Sequence, residues 1–432
     1  MTSLPSAAGS PDPSGPPLVA RTVPLADAGP LLRLLPEVGD PRALSSWVRR
    51  GEGLVGWGRT LEFTTTGPDR FARAQEWWRD VVASAVVRDE VGLPGTGPVT
   101  FGSIAYAADS PAGATLVVPE VVVGARDGKW WVTTTGTGAD LPAPGAVVPQ
   151  QPSPHSPVGV AYADGALSPA EWAGAVSEAV HRITAGELDK VVLARDLRVE
   201  ASEPIDARWL LERLAERYDT TWVFAVDGLV GATPEMLVRL ERGLVTSRVL
   251  AGTIRRTGDD EHDLALAASL ARSSKDLEEH EYAVRSVADA LRPHCSSMNV
   301  PESPFVLHLA NVMHLATDVA GVLADDATSL ALAASLHPSA AVCGTPSAVA
   351  DAVISALEHM DRGRYAGPVG WMDASGDGEW AIALRSGAFE PGSASAMRIF
   401  AGCGIVAGSV PEAEVAESDA KLVPMRDALS GG

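Results

Sequence analysis

Short apolar stretches separated by glycine and proline turns fill the first third of the chain, a pattern typical of strands joined by tight turns. This pattern predicts strands at 54–57, 102–106, 114–123 and 130–135. Apolar positions at helical spacing, among them Phe71, Trp77 and Trp78, predict a helix over 68–87. The proline-rich stretch 141–158 is expected to form a linker or a long loop.

The remaining two thirds alternate helical and extended patterns. Ser168, Pro169 and Glu171 match a capping box with proline at the first helical position, which predicts a helix ending near Ala185. Further helices are predicted at 204–217, 260–294, 345–363 and 411–428. Further strands are predicted at 188–199, 222–227, 236–240, 244–250, 305–310, 312–320, 369–372, 380–388 and 396–401. Because strands outnumber helices and several are joined by tight turns, an α+β protein with antiparallel sheets is favoured over a doubly wound fold.

The charge balance narrows the classes of partner. The 432 residues carry a formal net charge of −21, which disfavours nucleic acid and anionic membranes. Three cysteines without metal-ligand spacing indicate a reducing compartment. Residues 1–17 lack the features of a signal peptide and are expected to form a disordered tail, and no apolar run is long enough to span a membrane. The expectation is a cytoplasmic protein that binds neither nucleic acid nor membrane.

Two pairs of carboxylates have the spacing of a shared metal site. Asp276 and Glu279 form one pair and Glu414 and Glu417 the other, and each pair lies on one face if its segment is helical. Magnesium prefers oxygen ligands and keeps coordination positions open for an anionic substrate. The sequence therefore predicts a magnesium site built from these four side chains.

Lysine is rare in this chain, since only four of the 34 basic residues are lysine, and three of those lie in segments with other candidate chemistry. In residues 188–196, strict alternation puts Lys190 on the same face as Val192 and Ala194. Apolar neighbours desolvate an amine, which lowers its pKa and favours a general base. The alternative is an edge-strand lysine that discourages aggregation.

The other candidate catalytic and substrate-binding residues lie at predicted turns and element ends. Glu235 precedes a predicted strand and is either a general acid or an ordinary turn glutamate. The strand end at Gly252 and Thr253 offers backbone N–H groups to a carboxylate, and Thr345 begins a predicted helix whose N-terminus suits an anion. The G-x-G-x-x-A pattern at 402–407 is not interpreted as a dinucleotide site, because only 25 residues follow it.

Nine segments, in order along about residues 160–430, resemble those of the chorismate-utilising enzymes, which comprise isochorismate, salicylate, anthranilate and aminodeoxychorismate synthases. The segments are LDKVVLAR, GATPEMLV, RVLAGTIRR, SSKDLEEHEYAV, NVMHLATDVAGVL, LHPSAAVCGTP, RGRYAGPVGW, WAIALRSGAF and AGCGIVAGSVPEAEVAESDAKL. The resemblance implies an α+β fold with a single large domain of two packed antiparallel β-sheets flanked by helical layers. Residues 18–158 would then form the N-terminal part of the fold and residues 159–432 the chorismate-binding catalytic part.

The resemblance also implies a role for each candidate residue. The four carboxylates correspond to the magnesium site, with Glu279 and Glu417 as the ligands that the other two support. Lys190 matches the base that activates water, and Glu235 matches the acid that protonates the departing hydroxyl. The implied substrate-binding residues are Gly252, Thr253, His314, Thr345, Tyr365, Arg385, Gly402 and Lys421.

Lys190 separates the activities within the family. The aminating members resemble one another in lacking a lysine at this position and need an ammonia-delivering partner, whereas a water nucleophile needs a base. The resemblance therefore implies magnesium-dependent conversion of chorismate to isochorismate without a glutamine amidotransferase subunit, and it leaves menaquinone and siderophore synthesis as alternative pathways. A monomer is expected because the sequence has no long exposed heptad pattern. The alternatives are a salicylate synthase, which goes on to eliminate pyruvate, and a catalytically silent chorismate-binding homologue.

Overall fold

The structure is a computed structural model that describes residues 16–143, 151–308 and 312–431. The side chains of Thr253, Lys275 and Glu279 lie outside this description. The tail predicted over 1–17 therefore falls almost wholly outside the described residues, and the loop predicted over 141–158 falls partly outside them.

Strands make up most of the regular structure. In chain order, the described strands are β1 (Leu18–Leu25), β2 (Leu44–Arg49), β3 (Glu52–Trp57), β4 (Leu61–Thr65), β5 (Val86–Asp89), β6 (Val99–Ile104), β7 (Ala114–Val118), β8 (Val121–Arg126), β9 (Lys129–Thr137), β10 (Ala161–Asp164), β11 (Lys190–Glu200), β12 (Trp222–Val226), β13 (Leu229–Thr233), β14 (Met236–Glu241), β15 (Leu244–Arg255), β16 (Cys295–Asn299), β17 (Phe305–His308), β18 (Val312–Leu323), β19 (Gly344–Thr345), β20 (Pro368–Asp373), β21 (Gly378–Ile382), β22 (Ser386–Phe389) and β23 (Ala396–Ile405).

These strands form two sheets. The larger sheet has the order β10-β11-β23-β22-β13-β12-β2-β3-β8-β9-β1-β5, with β19 paired to β11 outside that path. The smaller sheet has the order β16-β18-β15-β14-β21-β20-β6-β7-β4, with β17 paired to β18. Neighbouring strands run antiparallel in both sheets, apart from β1 and β5, which pair in parallel at one edge. The predicted α+β fold with two antiparallel sheets is confirmed.

The helices cover the sheets. They are α1 (Arg70–Ser84), α2 (Pro169–Thr184), α3 (Ala207–Arg217), α4 (Asp260–Leu270), α5 (Ser274–Leu291), α6 (Ser329–Leu336), α7 (Ser347–Leu357) and α8 (Pro411–Leu429). The capping box predicted at Ser168 and Glu171 is present at the start of α2. Among the described residues, every helix is too short or too polar to cross a bilayer.

The core has an inner layer and outer layers. Between the sheets, aromatic side chains of both pack together, including Phe101 of the smaller sheet and Trp131 and Phe224 of the larger one. On the outside, α3 and α8 pack against the larger sheet, while α1, α5 and α6 pack against the smaller one.

Two of the predicted strands are wrong because each is divided into two strands that lie in different sheets. The predicted strand 114–123 breaks at Pro119, which has no N–H to continue a ladder, so that β7 lies in the smaller sheet and β8 in the larger one. The predicted strand 380–388 breaks before Arg385, so that β21 and β22 also lie in different sheets. At each break the chain crosses from one sheet to the other.

Three predicted helices have different bounds in the structure. The helix predicted over 260–294 is two helices, because the Ser273 side chain caps a new helix by accepting a hydrogen bond from the Asp276 N–H. The helix predicted over 345–363 is the shorter α7, and Thr345 itself lies in β19. The end of the helix predicted over 68–87 instead forms β5.

Candidate active site

A cleft of about 420 Å3 lies between β11 and β23 of the larger sheet and β15 and β18 of the smaller one. The first turns of α5 and α8 complete its wall. The sequence-predicted residues in that wall are Lys190, Glu235, Gly252, Asp276, His314, Tyr365, Arg385, Gly402, Glu414, Glu417 and Lys421.

Two crossovers between the sheets place Glu235 beside Arg385. Glu235 lies where the chain passes from β13 to β14, and Arg385 lies where it passes from β21 to β22. The N–H of Ile382 donates to the Glu235 carbonyl at 3.0 Å, and the N–H of Ala232 donates to the Arg385 carbonyl at 3.2 Å. Because the crossovers are hydrogen-bonded to each other, an acid and a cation from distant parts of the chain are held together.

The Glu235 carboxyl has a strongly shifted titration. Burial raises its pKa to about 7, against the opposing effect of the nearby cations Arg385, Lys190 and Lys421. A carboxyl with a pKa near the working pH can carry a proton and release it in the same cycle. This property favours a general acid over an ordinary turn glutamate.

The strand β11 presents Lys190, Val192 and Ala194 to the cleft, as the alternation predicts. This strand pairs with β23 on one side and with β10 and β19 on the other, so the edge-strand alternative does not hold for it. Lys190 is half-buried. Across the ladder, Gly404 pairs with Val192, and a Cβ at 404 would lie 3.0 Å from the Cε atom of Lys190. The glycine therefore leaves the room that the lysine side chain occupies.

A buried ion pair fixes β11 from behind. Arg362 and Glu358 are both almost fully buried, and the Arg362 Nε donates to the Glu358 carboxylate at 2.9 Å. The Arg362 guanidinium also donates to the Val192 carbonyl at 2.8 Å, while Glu358 accepts from the Ala194 N–H at 2.7 Å. The pair thus holds two lining residues of the strand that carries Lys190.

The cleft contains cations suited to an anion. Arg385 adopts a left-handed backbone conformation with φ of 48°, and its side chain forms no hydrogen bond or ion pair with the described residues. Lys421 on α8 donates to the Gly402 carbonyl at 2.9 Å and pairs with Glu417 at 2.7 Å. A residue held in a sparsely populated backbone conformation is typical of a ligand-binding position.

Two ring side chains in the wall stay uncharged near neutral pH. Burial, together with Arg385 and Lys421, lowers the pKa of His314 to about 3. Burial also raises the pKa of Tyr365 far above its usual value, and the ring of Tyr365 stacks on Phe400 with centroids 5.0 Å apart. The two side chains can therefore orient a ligand through neutral hydrogen-bonding groups.

Carboxylates from two helices meet at the cleft. Asp276 comes from the first turn of α5, and Glu414 and Glu417 come from α8. A β-bulge at Gly252 makes room for α5, because a Cβ there would lie 3.2 Å from the Cβ of Asp276. Glu279, the fourth predicted ligand, has its side chain outside the described residues.

The donor set fits a hard divalent cation. Oxygen atoms of Glu414 and Glu417 lie within 4.8 Å of each other and of the Cys403 sulfur. Burial raises the pKa of Cys403 to about 12, so its sulfur remains a thiol and is a poor ligand for a hard ion. The remaining donors are carboxylate oxygens, which magnesium prefers.

One predicted residue lies away from the cleft wall, and some important ones were missed. Thr345 pairs with Lys190 through the backbone of β19 and lies outside the described lining, so it does not begin α7 as predicted, and its role in binding an anion stays a prediction. Gly404 was not predicted, because no local pattern shows that position 404 lies beside the Lys190 side chain. The Glu358–Arg362 pair has the ordinary spacing of a surface helix pair, and its sequence carries no signal of burial.

The fold and the cleft define an α+β enzyme with an acid, a candidate base, a cluster of carboxylates and an arginine that forms no ion pair with the described residues. Such a cleft is suited to a small anionic substrate. The sequence profile described as chorismate binding enzyme matches residues 16–430 of the chain. The protein belongs to this chorismate-binding enzyme family.

Individual relatives agree with this assignment. The chain is 40% identical over 273 residues to isochorismate synthase DhbC of Bacillus subtilis strain 168, an alignment covering 60% of this chain and 68% of the relative. It is 34% identical over 410 residues to the salicylate biosynthesis isochorismate synthase of Pseudomonas aeruginosa PAO1, covering 89% and 84%. The structure of MenF, the menaquinone-specific isochorismate synthase from Escherichia coli, superposes on this chain with a TM-score of 0.78 at 24% identity. The superposition covers 96% of this chain and 95% of that one, and it supports the fold.

Proposed function

We propose that the protein is an isochorismate synthase that converts chorismate to isochorismate with magnesium bound at its carboxylates. The observation that carries the proposal is that Lys190 and Glu235 line the same cleft. Lys190 lies on the face of β11 that borders the cleft, and the pKa of Glu235 is about 7. The relatives named as isochorismate synthases support the same assignment.

In the proposed reaction, Lys190 takes a proton from the water that adds at ring carbon 2. Glu235 donates a proton to the hydroxyl that leaves carbon 4 as water, and the ring double bonds shift between these positions. One water enters and one leaves, so substrate and product are isomers. Because the nucleophile is water, the reaction needs no ammonia, and we expect activity without an amidotransferase subunit.

The cations position the substrate. Arg385 has no ion-pair partner among the described residues and therefore offers its guanidinium to a substrate carboxylate. Lys421 and the backbone at Gly402 and Gly252 line the same cleft. These local donors explain how a chain with a net charge of −21 can bind a dianion.

Asp276, Glu414 and Glu417, with Glu279 as an expected fourth residue, would hold the magnesium ion. When bound, the ion supplies positive charge that binds a substrate carboxylate and stabilises charge developing in the ring. Lys421 and Glu417 form an ion pair one turn apart on α8, so the same helix would supply a substrate-binding lysine and a metal ligand.

Incubation of the purified protein with chorismate and magnesium, with and without a chelator, tests the proposal. A product with the mass of chorismate but a different retention time, lost on chelation, supports it. Salicylate with pyruvate would instead identify a salicylate synthase, and no turnover with either water or ammonia would leave a silent homologue.

Matched variants test the individual roles. Lys190→Ala is expected to abolish turnover without changing the melting temperature. Lys129→Ala removes an exposed lysine and should leave turnover intact. Glu417→Gln is expected to lose activity and magnesium dependence together, whereas Glu412→Gln, exposed on the same helix, should retain both. Near-normal activity of Lys190→Ala would refute the assignment of the base.

A further inference from the structure

Glu235 lies in the walls of two cavities. In addition to the substrate cleft, a small cavity of about 30 Å3 lies behind it, and only Glu235 and Ala341 are shared between the two described walls. The small cavity also contacts Ser247, Arg248 and Ser339. Its volume is sufficient for a single water molecule, and its wall contains enough polar groups to bind one.

The hydroxyl of Ser339 is unpaired among the residues that the structure describes. Its oxygen is fully buried and forms no hydrogen bond with any described residue. The hydroxyl of Ser247 in the same wall, by contrast, donates to the Leu237 carbonyl at 2.7 Å. Buried hydroxyls are rarely left unpaired, because the lost interaction with water is costly. A water bound in the small cavity would give the Ser339 hydroxyl the partner that the described residues do not supply.

The proposed reaction requires a proton return path. Each turnover leaves Glu235 ionised and Lys190 protonated, so one proton must reach Glu235 and one must leave Lys190 before the next cycle. Lys190 borders the substrate cleft and is absent from the described wall of the small cavity, whereas Glu235 borders both. While substrate or product occupies the cleft, the small cavity would be the other access to Glu235.

The charges around Glu235 suit such a path. Arg385, Lys190 and Lys421 act on its carboxyl from the cleft side. On the other side, Arg248 borders the small cavity but is neutralised by two hydrogen bonds to Asp318 at 2.6 and 2.8 Å. The wall of the small cavity therefore presents the neutral hydroxyl of Ser339 and an arginine whose charge is already paired.

We propose that Ser339 holds a water in the small cavity and that this water returns a proton to Glu235 after each turnover. The water donates one proton to the Glu235 carboxylate and takes one from the solvent, so no other reactant is consumed. Ser339 is a positioning residue in this scheme, since it acts through the water. The inference rests on the proposed function.

Ser339→Ala is expected to lower kcat by about 3- to 10-fold, less than the loss of the acid itself because the cleft side remains open between turnovers. The KM for chorismate should stay unchanged, and the solvent deuterium isotope effect on kcat should rise because proton return becomes limiting. Ser339→Thr keeps the hydroxyl and should restore kcat and the isotope effect. Ser177→Ala removes an exposed hydroxyl that bonds only within α2, and it should match the wild type. A Ser339→Ala enzyme with wild-type kcat and isotope effect would overturn the proposal.

A measurement without turnover separates this inference from the proposed function. Infrared titration of the Glu235 carboxyl should give a higher pKa in Ser339→Ala than in the wild type, because the ionised form loses the hydrogen bond of the water. An unchanged pKa, or a high-resolution crystal structure with an empty small cavity, overturns the inference even if the protein makes isochorismate. If the wild type makes no isochorismate but the pKa of Glu235 is higher in Ser339→Ala, the proposed function is refuted and the assignment of the water still stands.

Discussion

Replacing Gly404 with alanine is expected to displace the amine of Lys190 while the fold stays intact. The added Cβ would lie 3.0 Å from the Lys190 Cε and 3.6 Å from its Nζ, whereas carbon atoms in contact prefer about 3.5–4.0 Å. The lysine side chain must therefore shift by about 0.5–1 Å. Gly404 does not have a left-handed backbone, so alanine adds no backbone strain. Because a 1 Å misplacement of a catalytic group can cost roughly 100-fold, kcat should fall between about 10- and 100-fold.

The assay compares kcat, KM and melting temperature for Gly404→Ala and Gly136→Ala. Gly136 is also a strand glycine, but its nearest neighbour to an added Cβ is Val19 at 3.7 Å, an ordinary contact. Both variants should melt like the wild type, and only Gly404→Ala should lose turnover. Wild-type kcat in Gly404→Ala would show that the position of the Lys190 amine does not limit the reaction, and the reasoning would fail.

Three further predictions concern charge. The acid Glu235 must be protonated to act and its pKa is about 7, so kcat/KM should fall as the pH rises above 7; a profile that stays flat to pH 9 would exclude it as the acid. Arg385→Ala removes a charged hydrogen bond worth about 1.5–3 kcal/mol, so kcat/KM should fall roughly 10- to 150-fold, and an unchanged value would exclude substrate contact. Arg362→Met leaves Glu358 buried without its cation and should cost about 3–5 kcal/mol of unfolding free energy; in denaturant melts, adding Glu358→Leu should recover part of that loss, and no recovery would contradict the ion-pair argument.

Local patterns predicted the elements whose environment matches their sequence. The alternation around Lys190 holds because β11 is paired along both sides and has one face toward the cleft. The capping box at Ser168 holds because its hydrogen bonds are made within one helical turn. The carboxylate pair on α8 reaches the cleft because both members lie on one helix face.

Features that depend on distant contacts were not predictable from local pattern. The break at Pro119 separates strands of different sheets, and only the finished sheets show where each half belongs. The left-handed backbone at Arg385 lies in a crossover that is hydrogen-bonded to a second crossover at Glu235, which is distant in sequence. Thr345 matches a helix start locally, but its pairing with Lys190 places it in a ladder instead.

The interleaving of the two sheets also bears on how the protein is made. Trp47 of β2 pairs opposite Phe224 of β12, and Phe101 of β6 pairs opposite Trp371 of β20. Strands near the N-terminus therefore remain unpaired until partners much later in the chain have been synthesised. A topology so rich in contacts distant in sequence folds slowly, and its unpaired strand edges are prone to aggregate in the meantime. A nascent chain leaving the ribosome can complete the smaller sheet only after β21 emerges and the larger sheet only after β23 emerges. Expression at low temperature or with abundant chaperones should therefore raise the yield of folded enzyme more than stabilising any single helix would.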